Sequence, residues 1–390
     1  MSEYIETDRH GVSVGIVEKK YHTTAEPPDE MQLECGAKLG PITIAYETYG
    51  NLDPEKGNAV LILHALSGDA HVAGYYTEED DKPGWWDSMV GPGKGIDTDK
   101  YFVVCSNIMG SCMGSTGPAT LNPKTAEPYG LGLPVVTIGD MVRAQKTLMD
   151  ALGIKRLLAV IGGSVGGMQV LEWCVRYPEM VASAIPLATT TKHSALAIAF
   201  NEIARQAIMT DPSWNNGNYY SGPRPETGLA VARMIGHVTY LSDESMRLKF
   251  GRRLQDKSDF SFSFDPEFQV ESYLRYQGKR FVERFDANAF LYITKAADYF
   301  DLAEQHGSGS MVEAFSKSNA RFLVVSFTSD WLYPTYQSRE MVKAIKKTGL
   351  DVSFCEIEAE WGHDAFLIPN PRLSSIIGGF LNRVSNETTS

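Results

Sequence analysis

The sequence predicts an α/β fold in which a mostly parallel central sheet carries helices on both faces and is interrupted by a helical insertion. Three observations lead there. Short, wholly apolar runs recur from residue 59 onward, the pattern of strands buried on both faces. Helix-period segments with recognisable ends lie between those runs, and such alternation implies right-handed crossovers in a largely parallel sheet. Between about Thr189 and Met311 the strands vanish, and the alternation resumes at Arg321.

Residues 12–50 alternate apolar and polar side chains, from Val12 to Val17 and again from Ile42 to Tyr46, and this period of two predicts antiparallel strands at one sheet edge. The apolar runs predict strands over 59–63, 102–105, 157–161, 181–187, 322–327 and 352–357. Asp140 can cap a helix over 141–152, which Gly153 stops. A second helix over 165–177 ends at Pro178, and its Met168, Leu171, Cys174 and Val175 form a buried stripe. The insertion shows helix-period segments over 229–241 and 281–300. The expected division is a core of residues 1–188 and 312–390 with a helical lid of residues 189–311.

A length of 390 residues with 43% apolar residues supports a substantial core, and one large α/β domain with an insertion fits it. With 36 Lys and Arg against 48 Asp and Glu, the net charge of −12 offers a polyanion no attracting field, so nucleic acid is excluded as a partner. The run Arg247, Lys249, Arg252, Arg253 is a candidate for holding one phosphorylated cofactor, and it reads equally as a solvated helix face. Five cysteines, widely spaced and without a C-x-x-C pair, argue against a disulfide framework and against a zinc or other metal site. Cys105, Cys174 and Cys355 read as core residues and Cys112 as exposed in a Gly/Ser loop. Residues 1–24 lack an apolar h-region and no run of about 18 apolar residues occurs, so a cytoplasmic protein with no membrane partner is expected.

The string Gly162-Gly163-Ser164-Val165-Gly166 follows one predicted strand and opens a helix. A sharp strand-to-helix turn leaves no room for Cβ atoms beside the serine, which is why such a turn needs glycines; it lifts Ser164 Oγ clear of the sheet. It also leaves the Val165 N–H at a helix N-terminus, where it can bind developing negative charge. A plain glycine-rich turn or a phosphate loop could carry a similar string, but the Lys-Ser/Thr ending of a P-loop is missing.

A serine so placed needs a later acid and then a histidine. Asp330 lies just past the run 322–327 and His363 just past 352–357, in that order and at the sheet end expected for Ser164. His363 would take the serine proton, and Asp330 would fix its tautomer. His10 and His22 lie near a terminus, His306 in a Gly/Ser turn and His64 upstream of the serine; His193 and His237 belong to the insertion as packing or substrate residues. A second oxyanion donor fits Leu66 in Leu63-His64-Ala65-Leu66-Ser67-Gly68.

With these residues in hand, the chain resembles the homoserine O-acetyltransferase family of α/β-hydrolase-fold acyltransferases from about Pro41 to Leu381. The resemblance rests on Gly162-Gly163-Ser164-Val165-Gly166-Gly167-Met168-Gln169 with Leu171-Glu172-Trp173, on Gly114-Ser115-Thr116-Gly117-Pro118, on His64-Ala65-Leu66-Ser67-Gly68 and on Gly362-His363-Asp364-Ala365-Phe366. Val165 stands where the family has Met, and Ser111 where a glycine is expected. The resemblance implies that Arg233, Tyr240 and Asp364 bind substrate, a cation for a carboxylate and an anion for an ammonium. It further implies acetyl-CoA, or succinyl-CoA, as co-substrate with no tightly bound cofactor, ping-pong acylation of Ser164, a place in methionine biosynthesis and a homodimer through the lid helices. No CoA-binding residues are assigned. Serine as acceptor, succinyl as acyl group and an esterase-type hydrolase are the alternatives among enzymes; a binding protein on a dead hydrolase scaffold is the alternative outside catalysis.

Overall fold

The computed structural model describes residues 13–55 and 57–388. Eight strands form the main sheet: β1 (Lys20–Thr24), β2 (Ile42–Tyr49), β3 (Ala59–Leu63), β4 (Phe102–Ser106), β5 (Ala159–Gly163), β6 (Ser183–Leu187), β7 (Arg321–Phe327) and β8 (Val352–Ile357). They lie in the order β1-β2-β4-β3-β5-β6-β7-β8. β2 runs antiparallel to both of its neighbours, and every later junction is parallel.

β3 explains the apolar runs. Leu61 and Leu63 enter the core on one face of the sheet while Val60 and Ile62 enter the core on the other, each burial worth roughly 1.5–3 kcal/mol. The edge is less regular than the alternation suggests: Val12 lies outside the described residues, Gly15 turns at φ +78, and an isolated bridge joins Ile16 to Tyr75. The paired edge strand starts only at Lys20.

Helix α1 (Ile138–Ala151) is capped by Thr137 rather than by Asp140. Thr137 Oγ1 accepts the Asp140 N–H and Asp140 Oδ2 accepts the Thr137 N–H, each at 3.1 Å, so Asp140 is the third-position half of a capping box. Helix α2 (Val165–Arg176) leaves the end of β5 directly.

Between β6 and β7 the chain is helical: α3 (Ala195–Met209), α4 (Glu226–Tyr240), α5 (Asp243–Lys249), α6 (Gln269–Val282), α7 (Ala287–Asp298), α8 (Leu302–Gly307) and α9 (Met311–Phe315). α4 packs against both α3 and α6. The segment 281–300 is not one helix but the end of α6 and all of α7. Asp286 divides it, its carboxylate accepting the Ala289 N–H at 2.8 Å as the cap of α7 and the Tyr219 hydroxyl at 2.6 Å.

After β7, α10 (Thr335–Lys347) joins the face of α1 and α2, and α11 (Pro371–Thr388) covers the opposite face with Leu373, Ile377 and Leu381. No helix among the described residues is long and apolar enough to cross a membrane. Cys105 and Cys174 are buried as expected, and Cys355 is half-buried. Cys112 is not an open-loop thiol: it packs on the core, and burial pushes its pKa up to about 12, which makes it a poor nucleophile.

Candidate active site

The turn from β5 into α2 holds Ser164 at φ +58, ψ −124, a backbone conformation that a serine adopts only when its surroundings force it. A Cβ on Gly166 would stand 2.0 Å from the Leu63 carbonyl oxygen, and one on Gly162 2.6 Å from the Gly166 carbonyl carbon. The glycines are therefore the condition for bringing α2 this close to β3. Ser164 N–H donates to the Leu187 carbonyl at 3.0 Å and Thr189 Oγ1 to the Ser164 carbonyl at 2.7 Å, so β6 holds the turn in place.

His363 lies in a short turn (Gly362–Phe366) past β8, and Asp330 in the loop past β7. His363 Nε2 is 2.8 Å from Ser164 Oγ, and Nδ1–H donates to Asp330 Oδ2 at 2.8 Å. The other oxygen of Asp330 accepts the backbone N–H groups of Leu332 and Tyr333 at 3.0 and 2.9 Å, which aims the carboxylate. All three side chains are buried. Burial works against a charge on His363, but the Asp330 carboxylate and its hydrogen bond, with Asp364 beyond, outweigh it and raise the imidazole above its usual range.

Leu66 lies in the loop after β3, and Val165 is the first residue of α2, whose N–H has no partner within the helix. Beneath the Leu66 loop, buried His64 donates from Nδ1 to the Ala65 carbonyl at 2.7 Å and accepts the Ile108 N–H at Nε2 at 3.0 Å. Both ring nitrogens are used and burial lowers the pKa, so His64 is a neutral prop. From the far side Arg284 donates to the Ser67 carbonyl at 2.9 Å.

One cavity of about 110 Å³ is lined by Ser164, His363, Leu66 and Val165 together with Arg233, Tyr240 and Asp364. Asp330 stands behind His363. Arg233 projects from α4, its guanidinium 4.8 Å from the centre of the Phe281 ring and 5.9 Å from that of Tyr240. Asp364 follows His363 directly; burial raises its pKa, and the charges of His363, Arg233 and Lys249 pull the other way. The cavity thus sets a cation and an acid around a hydroxyl nucleophile.

The basic run does not join them. Arg247 pairs with Glu244, Lys249 lies 4.4 Å over the Tyr273 ring, Arg252 5.4 Å over Phe268, and Arg253 donates to Gln269 at 3.1 Å. It is a helix face and the loop that follows it. Of the other histidines, His10 lies outside the described residues, His22 is in β1, His306 bonds Glu172 at 2.9 Å, and His237 packs beside Tyr273 with its pKa lowered to about 3 by burial and by the charges of Arg233 and Lys249.

His193 and Tyr333 share this cavity, a pairing that sequence reasoning missed. His193 Nδ1 is 3.0 Å from Asp298 Oδ1 and Nε2 is 2.6 Å from the Tyr333 hydroxyl. Nothing in the sequence joins three residues so far apart; only the position of Tyr333, three residues after Asp330, hints at it.

A family model described as alpha/beta hydrolase fold matches residues 58–369. The chain is 67% identical to the homoserine O-acetyltransferase of Solidesulfovibrio magneticus over 98% of its own length and 97% of that protein's. It is 66% identical to the homoserine O-acetyltransferase of Desulfotalea psychrophila over 95% of each. Among solved structures, it is similar to the homoserine O-acetyltransferase of Bacillus anthracis, with a TM-score of 0.88 at 32% identity over 94% of this chain and 98% of that one. An esterase superposes almost as well, with a TM-score of 0.86 at 31% identity over 94% of this chain and 100% of that one. Backbone likeness therefore does not separate transfer from hydrolysis.

Proposed function

The chain belongs to the homoserine O-acetyltransferase family within the α/β-hydrolase fold, and from that premise we propose that it transfers an acetyl group from acetyl-CoA to the hydroxyl of homoserine, supplying methionine synthesis. One observation carries the choice of transfer over hydrolysis: Arg233 and Asp364 line the same cavity as Ser164 and His363. A zwitterionic amino acid presents a carboxylate and an ammonium that match this pair, and water needs neither.

Ser164, Asp330 and His363 are the catalytic residues of this reading. His363 takes the Ser164 proton as Oγ attacks the thioester carbonyl, and the Leu66 and Val165 N–H groups bind the oxyanion. The intermediate collapses with loss of the thiol, leaving acyl-Ser164. Homoserine then enters, with its carboxylate on Arg233, its ammonium on Asp364 and Tyr240 closing the wall; His363 removes the hydroxyl proton and returns it to Ser164 Oγ as the ester leaves. Arg233 is the single Lys or Arg lining the cavity among the described residues, which supports an uncharged acetyl group over succinyl.

Among the described residues, 189–311 serve as the lid over this chemistry and those of 1–188 and 312–390 as its core. Leu196, Ile198 and Ile203 on α3, Val231 and Val238 on α4 and Tyr276 on α6 are exposed, which supports pairing of two copies through the lid. Five unpaired cysteines favour the cytoplasm.

The test offers acetyl-CoA and succinyl-CoA against homoserine and serine, and quantifies acylated amino acid and free acid. O-acetylhomoserine should dominate. Mainly free acetate at saturating homoserine would make the protein an esterase.

A further inference from the structure

Ser164 has a second polar neighbourhood besides His363 and Asp330. Buried Tyr333 lines the same cavity as Ser164, and its ring packs edge-on to His363, 5.1 Å between ring centres. Behind Tyr333 stands His193, and behind His193 the Asp298 carboxylate, which also accepts from Asn201 Nδ2 at 2.7 Å and Arg205 Nη1 at 2.7 Å. Burial opposes the charge on Asp298, but those three partners hold its pKa below the usual carboxylate range. An ionised Asp298 fixes a proton on His193 Nδ1.

Counting protons along the chain shows what the second arm can do. When His193 carries a proton on each ring nitrogen, Nε2–H donates to the Tyr333 oxygen and the Tyr333 hydroxyl is free to donate to Ser164 Oγ. One hydrogen is then available at each step from Asp298 through His193, Tyr333, Ser164 and His363 to Asp330. When Nε2 is bare, the Tyr333 proton turns to it and is not available to Ser164 Oγ.

The two half-reactions of the proposed transfer, on which this inference rests, treat Ser164 Oγ differently. In the first, Oγ forms a bond and the group expelled is a thiolate, with a pKa of about 8.5 for an ordinary thiol. In the second, the C–Oγ bond breaks and Oγ leaves as a far more basic alkoxide, neutralised by the proton that His363 took from the acceptor hydroxyl. A second donor on Oγ stabilises that departure and gives nothing comparable in the first step.

We propose that Tyr333 is a further catalytic residue, donating a hydrogen bond to Ser164 Oγ as the acyl-enzyme is discharged onto the acceptor, with His193 and Asp298 as positioning residues that free its proton for the purpose. Tyr333 transfers no proton itself.

The test separates the half-reactions. Acylation is read as thiol release in a rapid mix with acetyl-CoA alone, and discharge as loss of the acetyl mass from isolated acyl-Ser164 after homoserine is added. Tyr333→Phe preserves the ring, and discharge should slow about 10-fold or more, the scale of one hydrogen bond to a charged group. Acylation should slow by a smaller factor, so acetyl-Ser164 accumulates in the steady state. His193→Leu should show the same imbalance, and Tyr333→Phe/His193→Leu should be no slower in discharge than Tyr333→Phe, because His193 acts through the hydroxyl already removed. Equal slowing of both steps, or none, would overturn the role of Tyr333; additive losses in the double variant would overturn the relay through His193. If wild type forms no acetyl adduct at all, the transferase reading fails and takes this one with it, whereas a normal adduct with unaltered discharge in Tyr333→Phe removes this one alone.

Discussion

The active site has two halves of different construction. Ser164, Asp330 and His363 follow the ends of parallel strands β5, β7 and β8, whose registers are fixed by their ladders with β6 and with each other. Arg233 and Tyr240 hang from α4, and His193 lies just before α3, all on the helical stretch between β6 and β7. The sheet half brings the three groups proposed to make and break bonds to within hydrogen-bond distance of one another. The helical half supplies Arg233 and Tyr240, which would read a substrate together with Asp364 from the turn past β8. An esterase and an acetyltransferase resemble this chain about equally well, so the shared backbone is compatible with either reaction and the side chains of the cavity must make the choice.

The comparison would break if damage to the sheet half spared any one half-reaction. Ser164→Ala should remove roughly 10⁴–10⁶ of the turnover with the fold retained, since the hydroxyl faces the cavity and leaves no core void. Intact-mass measurement should find one acetyl adduct on wild type and none on the variant; an adduct that persists, on Cys112 for instance, would relocate the nucleophile.

Asp330→Asn should cost about 10⁴ by favouring the wrong His363 tautomer. It also sharpens the sign of the pH dependence. His363 must be neutral to act as base, and its pKa is raised chiefly by Asp330 against burial, so activity fails as pH falls through that raised value. Without the Asp330 charge the acid limb of kcat/KM for the residual activity should move to lower pH. A limb that stays in place would assign it to another group.

The smallest effect belongs to the helical half. Arg233→Leu keeps bulk but removes the carboxylate anchor, so the homoserine-dependent rate should fall at least about 10-fold while the burst of acylation by acetyl-CoA survives. Slowed acylation with unchanged homoserine dependence would place Arg233 on the donor side and erase the division between the halves.

The two halves also differed in how far the sequence disclosed them. A strand buried on both faces writes itself as an apolar run, and the serine turn writes itself in glycines that sterics demand, so β3, β5 and the order of Ser164, Asp330 and His363 were legible. Helical boundaries were less so. Thr137 outcompeted Asp140 as a cap because the two bond reciprocally, and Asp286 divided one apparent helix because a buried carboxylate satisfied by Ala289 and Tyr219 is worth more there than continuity. The contacts of Tyr333 with His193, and of Arg284 with the Ser67 carbonyl, join residues that only the packing of α3, α6 and α7 against the sheet brings together. Arg233, Tyr240 and Asp364 came from family resemblance, not from pattern.

The positive φ at Ser164 sets folding and use against each other at a single residue. Glycine there would relax the turn by something on the order of 1–3 kcal/mol, a gain that drift in an unused scaffold would accept readily, because most proteins sit only a little above the stability they need. Serine at this position is thus a residue that stability alone would discard. A serine held in this strained turn beside Asp330 and His363 is what the proposed nucleophile requires, and a binding protein on an abandoned hydrolase frame would have no use for the strain.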